Sequence, residues 1–221
     1  MNDEIISSDP QQDVIKPRSR KKQWMFLFLP FTLLVIVIGA MITPTICRNI
    51  ERSRIEHERS KNARCRNNLK QLSLAIKQYA MDYADHFPNG DDTKGLGKLY
   101  GTYITDSSYF CCPSAKTGFF NGKLTDQNIS YVYFGDFMET SSDCCPPNKH
   151  CPVVFDRPEN HKDHINYINA YGLFETLPSK AKTCSEFIEE MNNKFKYHHT
   201  ILKILREKAA EADRRYYSQE K

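Results

Sequence analysis

The stretch Asn62–Gly90, NARCRNNLKQLSLAIKQYAMDYADHFPNG, decides how this chain is read. Within it Cys65, Leu69, Leu72, Ile76, Tyr79 and Tyr83 are spaced 4, 3, 4, 3 and 4 apart, which places all six on one face of an α-helix. Such a stripe predicts docking against a folded head. No Gly or Pro interrupts Arg48–Ala84, so the helix is expected to run on until Pro88 removes a donor and Asn89-Gly90 supplies a turn.

Upstream, Trp24–Cys47 (WMFLFLPFTLLVIVIGAMITPTIC) holds 24 residues without a charge, and about 20 helical residues cross a bilayer core. A transmembrane helix over 24–47 is predicted. A cleaved signal peptide fits less well, because its apolar region would be about 7 to 15 residues long and followed by an A-x-A-like site. Pro44 is expected to bend or pack the membrane helix, with Pro30 as a second packing position. The segment between, RNIERSRIEHERSKNARCR, is charged nearly all round, with Glu51 and Glu56 each three residues before an Arg, as in a solvated stalk.

Composition sets the outer limits. The 221 residues have a net charge of only +4, from 31 basic and 27 acidic side chains, too balanced to point to nucleic acid. Basic residues flank the apolar span on both sides, Lys16 to Lys22 before it and Arg48 to Lys61 after it, so cation counting leaves orientation open. Cysteine placement points to an orientation. Seven of the eight lie beyond the span, namely Cys65, Cys111, Cys112, Cys144, Cys145, Cys151 and Cys184, a distribution that suggests disulfides in an oxidising compartment. The N-terminus is therefore expected in the cytoplasm and the bulk outside it.

The remaining pattern predicts an α+β fold in five parts: a basic tail (1–23), the membrane helix (24–47), the stalk helix (48–84), a β head (85–178) and a C-terminal amphipathic helix (179–221). In the head, DDTKGLGKLY, GTYIT, SYFCC, ISYVYFGDF, PVVFD and INYINAYGLFETLP are short aromatic and β-branched runs, read as an antiparallel sheet of about three or four strands. Thr183 to Glu186 has the T-x-x-E form of a capping box, opening a helix whose last residues, ADRRYYSQEK, are expected to fray.

These residues resemble type IV pilin-like proteins and the major pseudopilins of type II secretion systems, above all prepilin-type relatives from planctomycete, verrucomicrobial and lentisphaeral bacteria. The likeness runs through AMITPTI (Ala40–Ile46), the C-x-N-N-L-K-Q pattern from Cys65, Phe87-Pro88, YFCCPS, SYVYFG and the closing segment from Pro152. It implies a single-pass bacterial inner-membrane protein with a periplasmic head that assembles with other pilin-like subunits or secretion components. The prepilin glycine and buried acid are replaced by Pro30 and Val35. Tyr171-Gly172-Leu173 stands where relatives have D-G-H, so a calcium loop is not carried over.

No catalytic residue, metal, cofactor or small-molecule substrate is expected. The adjacent pairs Cys111-Cys112 and Cys144-Cys145 depart from the C-x2-4-C spacing of zinc sites. His161, Lys162, Asp163 and His164 read as a solvated loop, and Asp82, Asp85, Asp91 and Asp92 as solvated acids around the helix stop. A protein that kept this architecture, lost filament assembly and binds a partner through its C-terminal helix is the alternative.

Overall fold

The computed structural model describes residues 21–115, 123–135 and 150–217, with side chains from residue 30 onward. Cys144 and Cys145, and most of the basic tail, lie outside these. The chain divides into two compact units, Met1–Arg54 and Ile55–Lys221. Helix α1 (Lys21–Asp82) is continuous over 62 residues.

In the first unit every described side chain from residue 30 to 54 is exposed, including Phe31, Leu34, Ile36 and Met41. This is the one helix among the described residues long and apolar enough to cross a membrane. An apolar helix bare on all sides is what lipid requires and water penalises. Pro30 and Pro44 both lie inside it; each removes a backbone donor, and bilayer-spanning helices accommodate such losses. Beyond the apolar part, Glu51 and Arg54 form an exposed pair at 3.5 Å, an interaction of a few tenths of a kcal/mol.

In the second unit the stripe on α1 enters the core. Cys65, Leu69 and Leu72 are fully buried and Ile76 nearly so, while Tyr79 is half-buried. Tyr83 departs from the expectation: it lies past the last helical residue, is 53% exposed and stacks on Tyr79 at 4.1 Å. The helix ends well before Pro88. Ala84 (φ 51°) and Asp85 (φ 68°) turn left-handed, and the Asp85 N–H donates to the Ala80 carbonyl at 2.8 Å, a C-terminal closure that satisfies one of the helix's orphan acceptors.

Four strands, β1 (Tyr131–Tyr133), β2 (Pro152–Asp156), β3 (His164–Asn169) and β4 (Phe174–Pro178), form an antiparallel sheet in chain order. Strands β1 to β3 are buried on both faces, whereas the edge strand β4 buries only Leu177 fully. Asp156 of β2 points at Cys65 of α1, whereas its neighbour Phe155 packs on Phe187 of the next helix, with ring centroids 4.9 Å apart, as strand alternation demands. The three earlier runs are not strands. They form a short helix α2 (Thr93–Leu96), an isolated bridge between Tyr100 and Ile104, and a 3-10 turn at Ser107–Phe110. Local turn chemistry outweighs their aromatic content: Asp106 Oδ1 accepts from the Ser108 N–H at 2.8 Å, an Asx turn. Gly95 sits so close to the Tyr133 ring that an added Cβ would lie 2.3 Å from it.

The C-terminal segment is two helices rather than one, α3 (Cys184–Phe195) and α4 (His199–Tyr217). Thr183 caps α3 by accepting from the Glu186 N–H at 3.2 Å. The break falls at Lys196, in the left-handed region at φ 55°, where the Tyr197 N–H donates to Asn192 Oδ1. Asp213 of α4 then accepts from the Cys184 and Ser185 N–H groups, placing a carboxylate where the α3 dipole favours one. Of the residues expected to fray, Ala212 to Tyr217 are helical and docked, and Ser218 to Lys221 lie outside the described residues. Lys208 meets Asp91 at 2.9 Å and Arg215 meets Asp92 at 2.8 Å, so these two acids are buried partners of the last helix rather than solvated turn residues. Burial pushes the Asp92 carboxyl up to about 6, against the Tyr133 N–H and Arg215.

Glu175 on β4 accepts from Tyr167 Oη and Asn169 Nδ2, both at 2.6 Å, and pairs with His150 at 2.9 Å. Its burial would raise its pKa, but these three partners together hold it below the usual range.

Leu72→Ala should lower stability of the full chain by about 2–5 kcal/mol, whereas Leu74→Ala, on the exposed face, should stay within about 0.5 kcal/mol; urea unfolding in detergent separates the two. Because the folded Glu175 pKa is depressed, its contribution is present above the ordinary carboxylate pKa and fades as pH falls through the folded value. Glu175→Gln should therefore cost about 1–3 kcal/mol at pH 7 and flatten the acid limb of a stability-versus-pH curve.

Candidate metal centre

The most unusual chemistry in the head is a polar row buried beneath α1. Tyr131 on β1 is the cross-strand partner of Asp156 on β2. Asp156 Oδ2 accepts from the backbone N–H of Asn166 on β3 at 3.2 Å and from its Nδ2 at 2.8 Å. Asn166 Oδ1 in turn accepts from Thr176 Oγ1 on β4, its partner in the ladder. One row of the sheet thus carries Tyr, Asp, Asn and Thr, all on the α1 face.

Three further groups close over Asp156. Cys65, one turn before Leu69 on α1, donates its thiol to Asp156 Oδ1 at 2.9 Å and lies 3.5 Å from Tyr131 Oη. His161, in the loop between β2 and β3, places Nε2 3.2 Å from Asp156 Oδ2 and 3.5 Å from Cys112 Sγ. Cys112 follows the 3-10 turn and also accepts from the Ser114 N–H at 3.4 Å. The donor atoms of Cys65, Cys112, Asp156 and His161 all lie within 4.8 Å of one another.

Two asparagines fix the loops that deliver Cys112 and His161. Asn68, one turn after Cys65 on α1, donates Nδ2 to the Ser108 and Cys111 carbonyls, holding the Cys112 segment against the helix. Asn160 donates Nδ2 to the Ser130 carbonyl at 2.7 Å, anchoring the β2–β3 loop to the strand that carries Tyr131. The His161 ring stacks on His164 with centroids 4.5 Å apart.

The electrostatics follow from this crowding. Hydrogen bonding with Cys65 pulls the Cys112 thiol down to about 6, helped by His161 and opposed by burial. Burial alone would lower His161, but its bonds with Asp156 and Cys112 raise it to about 10. The Cys65 thiol goes the other way, pushed far above its usual range by burial and by the charge around Cys112 and Asp156. A thiolate beside an imidazolium can serve as a nucleophile. Here Cys112 is only 2% exposed, and the pair faces inward toward the other two donors.

The sequence reading brought none of these four together. Cys65 was expected on the docking stripe, where it is, but its thiol points at a carboxylate as well as into the core. The sequence pairs Cys112 with its neighbour Cys111, whereas Cys111 turns away and donates to the Asn128 carbonyl at 3.3 Å. His161 was expected in a solvated loop, yet its side chain is 3% exposed. Nothing in the sequence around Asp156 marks it as a site residue. Of the cysteines expected to pair, Cys65 and Cys112 stand as thiols in this cluster and Cys184 as a buried thiol at the start of α3. The available signal is PVVFD itself, an apolar strand run ending in an acid, which needs partners once the strand is buried. Compared with known protein families, curated proteins and solved structures, the chain matches none.

Asp156→Ala would leave Asn166, His161 and the Cys65 thiol without their shared acceptor. Urea unfolding of the full chain should show a loss of about 3–5 kcal/mol, the cost of breaking a buried charged pair by removing one partner.

Proposed function

We propose that this protein is a membrane-anchored, pilin-like structural subunit of a type II secretion or type IV pilus-like apparatus. It sits in a bacterial inner membrane with its N-terminus in the cytoplasm and its head in the periplasm. The observation that carries this reading is the division of labour along α1, bare and apolar up to Cys47 yet buried on one stripe from Cys65 to Ile76. A helix built this way offers its first part to lipid and to neighbouring membrane helices, and its second part to its own head. The α+β order of the head agrees with the resemblance drawn from the sequence. On this reading no residue performs catalysis, and the partners are the membrane and other pilin-like subunits.

A second reading is favoured by Pro30 and Val35, which stand where prepilins have the glycine before the cleavage point and the buried acid. On it the protein is a single-pass tethered module that binds a partner without assembling into filaments.

Expressing the full chain in bacteria together with a prepilin peptidase and a pilus or secretion apparatus separates the two. The subunit reading expects the chain in sheared filaments, with a shortened N-terminus by intact mass. A chain that retains Met1 and stays wholly in the membrane fraction would reject it in favour of the tethered module.

A further inference from the structure

We propose that Cys65, Cys112, Asp156 and His161 bind one structural zinc ion, which clamps α1 to the sheet and to the loops on either side of it. This goes beyond the subunit reading and does not depend on it, since the four residues belong to the head unit alone.

The first support is the size of the cage. Tetrahedral zinc has bonds of about 2.3 Å to sulfur and about 2.0–2.2 Å to nitrogen or oxygen, which sets ligand-to-ligand edges of about 3.3–3.8 Å. Two of the six edges already stand near those values, 3.2 Å between His161 Nε2 and Asp156 Oδ2 and 3.5 Å between His161 Nε2 and Cys112 Sγ, and all six lie within 4.8 Å. Cys65 Sγ and Asp156 Oδ1 are closer, at 2.9 Å, and would part slightly around an ion.

The donor types point the same way. Two sulfurs, an imidazole nitrogen and a carboxylate oxygen suit a borderline divalent ion, and four protein donors with no open position are the pattern of a structural site. The set is closed to solvent, with Cys65, Cys112 and Asp156 buried and the His161 side chain 3% exposed. Binding releases whatever protons the two cysteine sulfurs and His161 Nε2 still hold. Two thiolates and one carboxylate around a dication leave one net negative charge, and donors surround it. Asn166 gives Asp156 two N–H bonds, the Ser114 N–H reaches Cys112 and Tyr131 Oη lies beside Cys65. Outer partners of this kind orient ligands and tune affinity.

A Cys65–Cys112 disulfide is the competing chemistry. It would bring the two sulfurs to about 2.05 Å and take the Cys65 proton from Asp156, leaving the convergence of Asp156 and His161 on both cysteines without a purpose. The zinc reading uses all four.

The test uses the full chain purified in detergent from cells grown with zinc in the medium. Elemental analysis is expected to give about one zinc per chain, and replacement with cobalt a tetrahedral visible spectrum with thiolate charge transfer. Cys112→Ala and His161→Ala should each abolish stoichiometric zinc, Asn166→Ala should weaken affinity by about 10–100-fold, and Cys47→Ser should leave it unchanged. Metal-free protein whose non-reducing peptide map contains a Cys65–Cys112 disulfide would overturn the proposal. So would a cobalt spectrum without thiolate bands, which the unmutated chain reports even where variants do not fold. Filament incorporation is scored separately, so this site and the subunit reading can fail independently.

Discussion

The carboxylate of Asp156 is the constraint around which the head is arranged. It is fully buried, and an ionised group taken out of water without partners carries a desolvation cost of several kcal/mol. The surrounding elements each supply one: α1 the Cys65 thiol, β3 the two donors of Asn166, and the β2–β3 loop the His161 imidazole. Strand register is tied to the same atom. A slip of one residue would turn Phe155 toward Cys65 and Asp156 toward Phe187, exchanging a satisfied charge for an unsatisfied one. The polar row therefore specifies the pairing of β1, β2 and β3 more sharply than their apolar residues could.

A second buried charge system performs a comparable task for the C-terminal helices. Asp91 and Asp92, in the turn after α1, hold Lys208 and Arg215 of α4, and Arg157 lies over the Tyr216 ring at 3.7 Å. Asp213 returns a carboxylate from α4 to the start of α3. The last helix is thus fastened to the head by charge at its end and by Leu205, Ala209 and Ala212 along its length. Its docking makes α4 part of the head unit.

The proposed metal and the proposed anchor answer different mechanical needs. A head anchored in a membrane through one helix would pass part of any pull through the contact between that helix and the sheet. Apolar packing of Leu69, Leu72 and Ile76 resists separation without direction, whereas coordination bonds from Cys65 to an ion shared with Asp156, Cys112 and His161 would resist it along fixed lines. The cluster also bears on how cysteine usage is interpreted. Thiols that converge on an imidazole and a carboxylate are candidates for a ligand set, so a high cysteine count beyond a membrane span does not by itself imply disulfides.

By itself the sequence determined what local chemistry controls. The uncharged run to Cys47, the 3-and-4 spacing from Cys65 to Ile76, the capping box at Thr183 and the aromatic and β-branched runs between Tyr131 and Pro178 are all written in neighbouring residues, because helix periods and strand propensities act over a few positions. It misjudged places where short segments choose between strand and turn, as at Gly95 and Asp106, and where a helix breaks at Lys196 without Gly or Pro, since tertiary contacts settle those cases. Only the tertiary structure decided the four-donor cluster. Cys65, Cys112 and Asp156 are separated by more than forty residues each, and nothing in their local patterns reveals that the register of β1 with β2 and the seating of α1 bring their side chains to one point.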